Sequence, residues 1–521
     1  MATATHTDAH ADKNHTPATV PDAYVDVKKL NFIFLAMLIL GFGTYLICGV
    51  INLGTDKEYG LREFFIAYQC GFVYWIGIPF GSLGLSMIGY LTQASWGIVL
   101  RRVFQASMRC IPVMFVLGLP ILAGLYIEKG NQSPFWWSAA VYNNLDDAEK
   151  SQIVEKRAIA LAADDTSDST AEQKLEKARN TVQKNIEQDR AKYAFAGWKG
   201  SERTQNLDEI TELAAYKMYP PQAAEEDLHK VHDFLNANFF TFRYFVYFAI
   251  LLGLSKLLST QAKKSDDDND PKGKAGTHNM SGPGLVLYVL TLSVFATDFC
   301  MSIEPTWASS MFPVIFGMNM FLCTLTFSTL VFYTLVRVPG DTAAAANRPD
   351  FTGIIKDKFR IDIGTLTLGF CMLWAYGSFC QFMLIWSGNL PEEITYYLKR
   401  GSNQEDSAVG TGSGWIYLTY MLMLFHWLIP FITLLIREVK TSPRGMKIVT
   451  TGLLLICMCD VVWWIVPAYP HTNSWLHVPM AFGAIFGLGG LFGLAFSREL
   501  VKNNILVQSD DGKFLANWGH H

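Results

Sequence analysis

The run 282-GPGLVLYVLTLSVFATDFCMSIEPTW-307 decides how this chain folds. From Gly282 to Ile303 it carries a single charge, Asp298. A helix rising 1.5 Å per residue needs about 20 apolar residues to cross a ~30 Å hydrocarbon core, so this run predicts a transmembrane helix. Asp298 falls in its outer portion, where a carboxylate in hydrocarbon is expensive. It must face a protein interior, meet a partner or mark a path for ions. Glu304 follows at the outer mouth, and Pro305 predicts the end or a bend of the helix.

The same length and apolarity recur along the chain. Spans are expected near 30–52, 66–91, 104–126, 236–258, 282–303, 309–336, 363–386, 412–436, 447–467 and 475–497. The fold class is therefore an all-α polytopic membrane protein with ten transmembrane helices. Spans two to five and six to nine read as two four-helix bundles flanked by spans one and ten, with Asp298 and Asp460 each in the last helix of its bundle.

Composition agrees. Of the 521 residues, 50% are apolar and 17% charged, against roughly 25% charged in an average soluble domain. The net charge of −4 says little about partners because the charges are segregated into loops. Nucleic acid is excluded, since no basic stripe interleaved with aromatics occurs. The nine cysteines are scattered, with neither the Cys-x-x-Cys-His of covalent haem nor a ferredoxin-like run, and Cys457 and Cys459 read as packing residues. The first twenty residues do not read as a cleaved signal, so span one is expected to stay as an anchor.

Lys and Arg set the orientation. Lys28 and Lys29, Arg101 and Arg102, Lys263 and Lys264, Lys356 to Arg360, Arg437 to Lys447 and Arg498 all flank one side of the spans. The turns between spans five and six and between nine and ten carry neither residue. The positive-inside rule places both termini in the cytoplasm. The expected organisation is a cytoplasmic tail at 1–29, spans one to three within 30–128, an extracytoplasmic helical insertion at 129–235, spans four to ten within 236–500, and a second cytoplasmic tail at 501–521. The stretch Ser265 to Lys274 reads as a solvated loop.

Two further ionisable groups sit inside apolar runs: His426 near the middle of span eight and Asp460 deep in span nine. Imidazole exchanges protons near neutral pH. As a haem ligand His426 would need a second axial histidine at mid-span, and none is present. Arg243 and Lys256 of span four are candidate partners for Asp460, though Lys256 also fits an interfacial role. Carboxyls and imidazole both accept and donate, so Glu304, Asp298, His426 and Asp460 are read as a candidate proton path, with Tyr376, Ser378 and Gln381 between them. Asp362, Tyr90 and Lys256 are the candidates on the cytoplasmic side.

Five pieces of the sequence are similar to one family: DFCMSIEPTW (298–307), YGSFCQFMLIWSGNLPEE (376–393), HWLIP (426–430), DVVWWIVP (460–467) and WGIVLRR (96–102). Over nearly all ten spans the chain resembles the ActF-like, NrfD-like membrane subunits of bacterial alternative complex III, a quinol:cytochrome c oxidoreductase. The resemblance implies a subunit of the bacterial inner membrane with two four-helix bundles. It implies no cofactor bound by this chain, with haem c, iron–sulfur clusters and quinol held by partners. Those partners would be a homologous NrfD-like subunit, an iron–sulfur subunit, c-type cytochromes and, in some assemblies, a terminal cytochrome oxidase. It also implies a proton route through Asp298, Glu304, His426 and Asp460. Two other readings stay open: a quinol-binding NrfD-like subunit of a related oxidoreductase such as polysulfide reductase, and a proton- or ion-coupled secondary transporter. The first calls for a quinone-sized cavity, and the second for broken helices meeting at the bilayer midplane.

Overall fold

The structure is a computed structural model. It describes residues 25–55, 60–92, 94–127, 133–135, 174–177, 179–180, 234–235, 237–265, 271–304, 307–341, 345–352, 354–388, 393, 396–397, 400, 415–468 and 476–505. Most of the insertion expected at 129–235 lies outside the described residues, as do residues 1–24 and 506–521 of the two tails and Pro305.

Among the described residues nine helices are long and apolar enough to cross a membrane, and a bent pair makes a tenth span. The helices are α1 (Lys28–Thr55), α2 (Gly60–Thr92), α3 (Ser95–Met108), α4 (Ile111–Leu125), α5 (Ala237–Ser265), α6 (Pro271–Phe299), α7 (Phe312–Leu335) and α8 (Asp357–Gly388). After these come α9 (Trp415–Leu435), then α10 (Arg437–Thr441), α11 (Pro443–Ile465) and α12 (His477–Leu500). The described residues form no strand, and Arg337 and Asp350 make an isolated bridge in the α7–α8 loop. The expected all-α polytopic fold is therefore what the chain adopts.

Packing follows the expected grouping. Helices α2, α3–α4, α5 and α6 form one bundle; α7, α8, α9 and α11 form the other. Helix α2 joins them by packing on α7 and α11 as well as on its own bundle. That central position explains why it is the most deeply buried span, although it is no more apolar than the others. Helices α1 and α12 clasp each other on the flank of α2. Glycine makes that clasp possible: a Cβ at Gly41 would lie 2.2 Å from the backbone nitrogen of Gly487, and one at Gly490 would lie 2.5 Å from that of Leu38. Small residues let membrane helices approach closely enough for dispersion contacts to hold them, since lipid is as apolar as Leu.

Two spans are irregular, and proline explains both. The third was expected as one helix over 104–126. The structure instead bends by 42° between α3 and α4. Pro112 has no N–H to offer the Met108 carbonyl four residues back. That carbonyl accepts the Ser255 hydroxyl of α5 instead, at 3.2 Å. In α9 the same logic applies to Pro430 and the carbonyl of His426. Here the chain takes a π-helical turn over Met423–Leu428, and Ile429 N–H reaches back to Leu424. Helix α6 also corrects an expectation. It begins at Pro271, inside the stretch read as a loop, because hydropathy registers the apolar part of a helix and not its polar extension. Proline at the first helical position gives up no hydrogen bond.

The ends of the bundles differ. At the end carrying Lys28 and Leu500, Ser95 meets Asp362 and Arg101 meets the Tyr90 hydroxyl. Arg360 there bonds Asp357 and the carbonyls of Pro339 and Thr441. Lys256 is exposed. At the opposite end, from which residues 128–236 depart, lie the buried acids.

Candidate proton-handling site

Sequence placed four ionisable groups in apolar surroundings; the structure sorts them into three settings. Asp298, on the last turn of α6, is fully buried, and α5 holds it. Arg243 grips both carboxylate oxygens, Nε at 2.7 Å and Nη2 at 2.8 Å, while the Tyr247 hydroxyl donates at 2.5 Å. Residues 243 and 247 are four apart, so one face of α5 presents both donors. Arg243 is itself boxed by the rings of Phe234, Phe239 and Phe240 and donates to the Phe234 carbonyl. A forked guanidinium–carboxylate pair is the strongest arrangement for burying two charges. It is also rigid. Arg243 thus partners Asp298, in its own bundle, and not Asp460 as the sequence reading allowed.

Glu304 follows a 3₁₀ turn (Met301–Ile303) and is 5% exposed. Its Oε1 lies 3.2 Å from Nη1 of Arg400, itself 1% exposed. Arg400 also donates to the carbonyls of Tyr396, Trp463 and Trp464. The Trp463 and Trp464 carbonyls sit near the C-terminus of α11, where unpaired carbonyls and the helix dipole attract a cation. Above this pair Tyr396 stacks on Trp307, with ring centres 3.9 Å apart.

The third setting is the deepest. Asp460 on α11 and His426 on α9 are 1% and 0% exposed. His426 is eleven residues from Trp415, about 16 Å along the helix. Asp460 Oδ2 accepts from Asn319 Nδ2 of α7 at 2.6 Å and from the Trp374 indole of α8 at 2.8 Å. His426 Nδ1 stands 3.8 Å from that same oxygen, beyond hydrogen-bond reach. The Trp374 ring covers the imidazole at 3.8 Å, and Cys457 Sγ is 3.5 Å from Nε2. Neither His426 Nδ1 nor the second oxygen of Asp460 has a hydrogen-bond partner among the described residues. All four helices of the second bundle thus meet at this site, with no forked cation on the acid.

The expected connecting residues fare unequally. Gln381 is buried near Ser309, whose hydroxyl lies 3.4 Å from Oε1. Ser378 is half-buried. Tyr376 is 65% exposed on the outward face of α8 and so does not lie between the acids. The helical repeat explains this: two residues from Trp374 is a rotation of about 200°. Sequence reasoning missed Tyr247, Asn319, Trp374, Tyr396 and Arg400. Asn319 was findable, as the one amide in the apolar run 312–323.

No family model matches the chain, and no curated protein matches it.

Proposed function

We propose that this chain is a cofactor-free, NrfD-like membrane subunit of a quinol:cytochrome c oxidoreductase of the alternative complex III type, in which His426 and Asp460 carry a proton coupled to quinol oxidation by partner subunits. In this reading it lies in a bacterial cytoplasmic membrane, with both termini inside and residues 129–235 in the periplasm. Haem c, iron–sulfur clusters and quinol belong to the partners. The five sequence pieces quoted above motivate the assignment to this complex.

One observation carries the proton role: a buried carboxyl held by neutral donors beside an unpartnered imidazole nitrogen. Asp460 protonated with His426 neutral, and Asp460 ionised with His426 protonated, are both net-neutral states. A proton passes between them without placing net charge in the low-dielectric interior. Closing the 3.8 Å gap by about 1 Å makes the bond. When the Cys457 thiol donates to Nε2, the ring proton sits on Nδ1, the nitrogen facing Asp460. Asp298 and Glu304 are different. Each is matched to an arginine and serves in this reading as fixed charge at the periplasmic mouth, with Glu304 the more loosely held.

The test is proton stoichiometry of the intact complex during quinol oxidation, with Asp460→Asn and His426→Leu each introduced. Both variants are expected to lose coupled proton movement while the complex assembles. Wild-type stoichiometry and rate in both would overturn the reading.

A further inference from the structure

At the end of the bundle carrying Lys28 and Leu500, Arg337, Arg360, Lys447 and Lys502 each meet a carboxylate: Asp350, Asp357, Asp341 and Glu499. Lys440 on α10 breaks that pattern. It is 9% exposed, and its ammonium donates to the Thr365 hydroxyl of α8 at 3.0 Å. No carboxylate pairs with it among the described residues. The acids of neighbouring elements are engaged elsewhere, Asp357 by Arg360, Asp341 by Lys447 and Asp362 by the Ser95 hydroxyl. Glu438 is exposed and two residues away on α10, a rotation of about 200°. A lysine at a membrane boundary ordinarily reaches its head into water. Lys440 instead lies along Gly364, where a Cβ would come 2.7 Å from its Cγ, so that glycine clears a channel for the stem. Thr365 is exposed on the flank of α8, and the ammonium therefore ends at the edge of the bundle. An ammonium has three protons to donate, and burying it is costly unless an anion meets it. Arg437, one turn before it on α10, and Arg444, at the start of α11, are exposed and form no ion pair among the described residues. Beside this corner the end of α9 exposes Ile432, Leu435 and Ile436, and α11 exposes Ile448.

We infer that Lys440, with Arg437 and Arg444, binds the phosphate of an anionic phospholipid in the leaflet at this end of the bundle, the cytoplasmic leaflet in the orientation proposed above. The unesterified oxygens of the phosphodiester accept the remaining ammonium protons and the guanidinium N–H groups. The acyl chains run from there along Ile432, Leu435 and Ile436 into the hydrocarbon. Basic pockets between transmembrane helices suit such headgroups. A free phosphate, or an acidic side chain of a partner subunit, would match the charge but leave the row of aliphatics without a purpose. The site lies at the opposite end of the bundle from the buried acids and does not depend on their carrying protons.

The full-length chain is purified in mild detergent and titrated with phosphatidylglycerol or phosphatidylcholine, and native mass spectrometry reads the affinity of each successive lipid. The wild type is expected to hold one phosphatidylglycerol on the order of tenfold more tightly than phosphatidylcholine. Lys440→Met keeps the stem and removes the charge; it is expected to weaken that first lipid on the order of tenfold, the size of a lost charged hydrogen bond. Arg437→Gln and Arg444→Gln should each weaken it about fivefold. Wild-type affinity in Lys440→Met overturns the inference, as does equal affinity for the zwitterionic lipid. Should Lys440→Met not fold, the Arg437→Gln, Arg444→Gln double variant, altered only on exposed side chains, decides in its place, and unchanged affinity there overturns the inference. Inorganic phosphate is the competing probe. If it displaces phosphatidylglycerol at matched concentration, the ligand is a free phosphate and the lipid assignment falls. If the wild type retains no phosphatidylglycerol, the assignment also falls and an acidic partner side chain is left as the occupant.

Discussion

The two four-helix bundles each carry an acid in their last helix, and they treat it in opposite ways. In the first, Asp298 is locked into the fork of Arg243 and capped by Tyr247. In the second, Asp460 has an amide, an indole and a nearby imidazole, and one of its oxygens has no partner among the described residues. Both acids are almost wholly buried, so burial does not distinguish them. What differs is the partner's ability to let go. A guanidinium does not give up its proton in a protein, so the first acid is held as a permanent charge pair. An imidazole exchanges its proton, so the second site has more than one neutral state.

The largest effect should come from breaking the lock. Arg243→Met leaves Asp298 as a buried acid without its cation and is expected to cost about 3–5 kcal/mol. Thermal unfolding of the purified protein in detergent measures it. Adding Asp298→Leu should recover most of the loss, because an apolar pair of similar volume replaces the buried ions without leaving a charge behind. A double variant as unstable as the single one would show that the pair is not the reason for the first loss.

The contrasting substitution is Asp460→Asn. It keeps shape and removes the exchangeable proton, and the expected stability change is about 1 kcal/mol or less, well below that of Arg243→Met. Equal losses in the same melt would erase the distinction between the bundles. Next is Trp374→Phe, which removes one donor to Asp460 but keeps a ring over His426. Hydrogen bonds between membrane helices average near ~0.6 kcal/mol, so the expected loss is about that size. A shift in the pH dependence of proton uptake, larger than the melt would suggest, would show that the indole tunes the acid as well as packing on it.

The smallest effect belongs to an ion pair outside both bundles. Arg337 and Asp350 in the α7–α8 loop meet at 3.2 Å, with side chains 37% and 51% exposed. The Thr352 backbone N–H holds the Asp350 carboxyl below the usual carboxylate range, helped by the Thr352 hydroxyl and by Arg337. Its contribution is therefore present above the unfolded pKa near ~3.9 and is lost as pH falls through the lower folded value. Solvent screening keeps it within the ~0–1 kcal/mol of exposed pairs. Arg337→Gln should leave the melt at pH 7 within that range, and a larger drop would mean that the loop bears on the bundle.

The spans were legible because hydrocarbon thickness fixes their length, and the four ionisable residues because apolar neighbours make them conspicuous. Partners were not legible. Arg243 and Lys256 of span four were both candidates for Asp460, whereas α5 packs on α6 and not on α11. Arg400 and Tyr396 lie in a segment whose polar neighbours suggest water, so nothing local marks them as buried. Tyr376 failed for a different reason: a motif names residues without saying which of them the helical repeat turns inward. The bend at Arg109–Cys110 and the π-helical turn around His426 follow from Pro112 and Pro430, but hydropathy averaged over a window smooths them away.

The glycine clasp between α1 and α12 has a consequence for biogenesis. The face of α1 that meets Gly487 and Gly490 has its mate about 450 residues further along, so a span made early must wait for one made late before it is seated. Until α12 is inserted, that face must wait in lipid or be shielded by the insertion machinery. A chain truncated before His477 would strand it there and would also bare the flank of α2 on which α12 packs, including Trp75, whose indole donates to the Ile485 carbonyl.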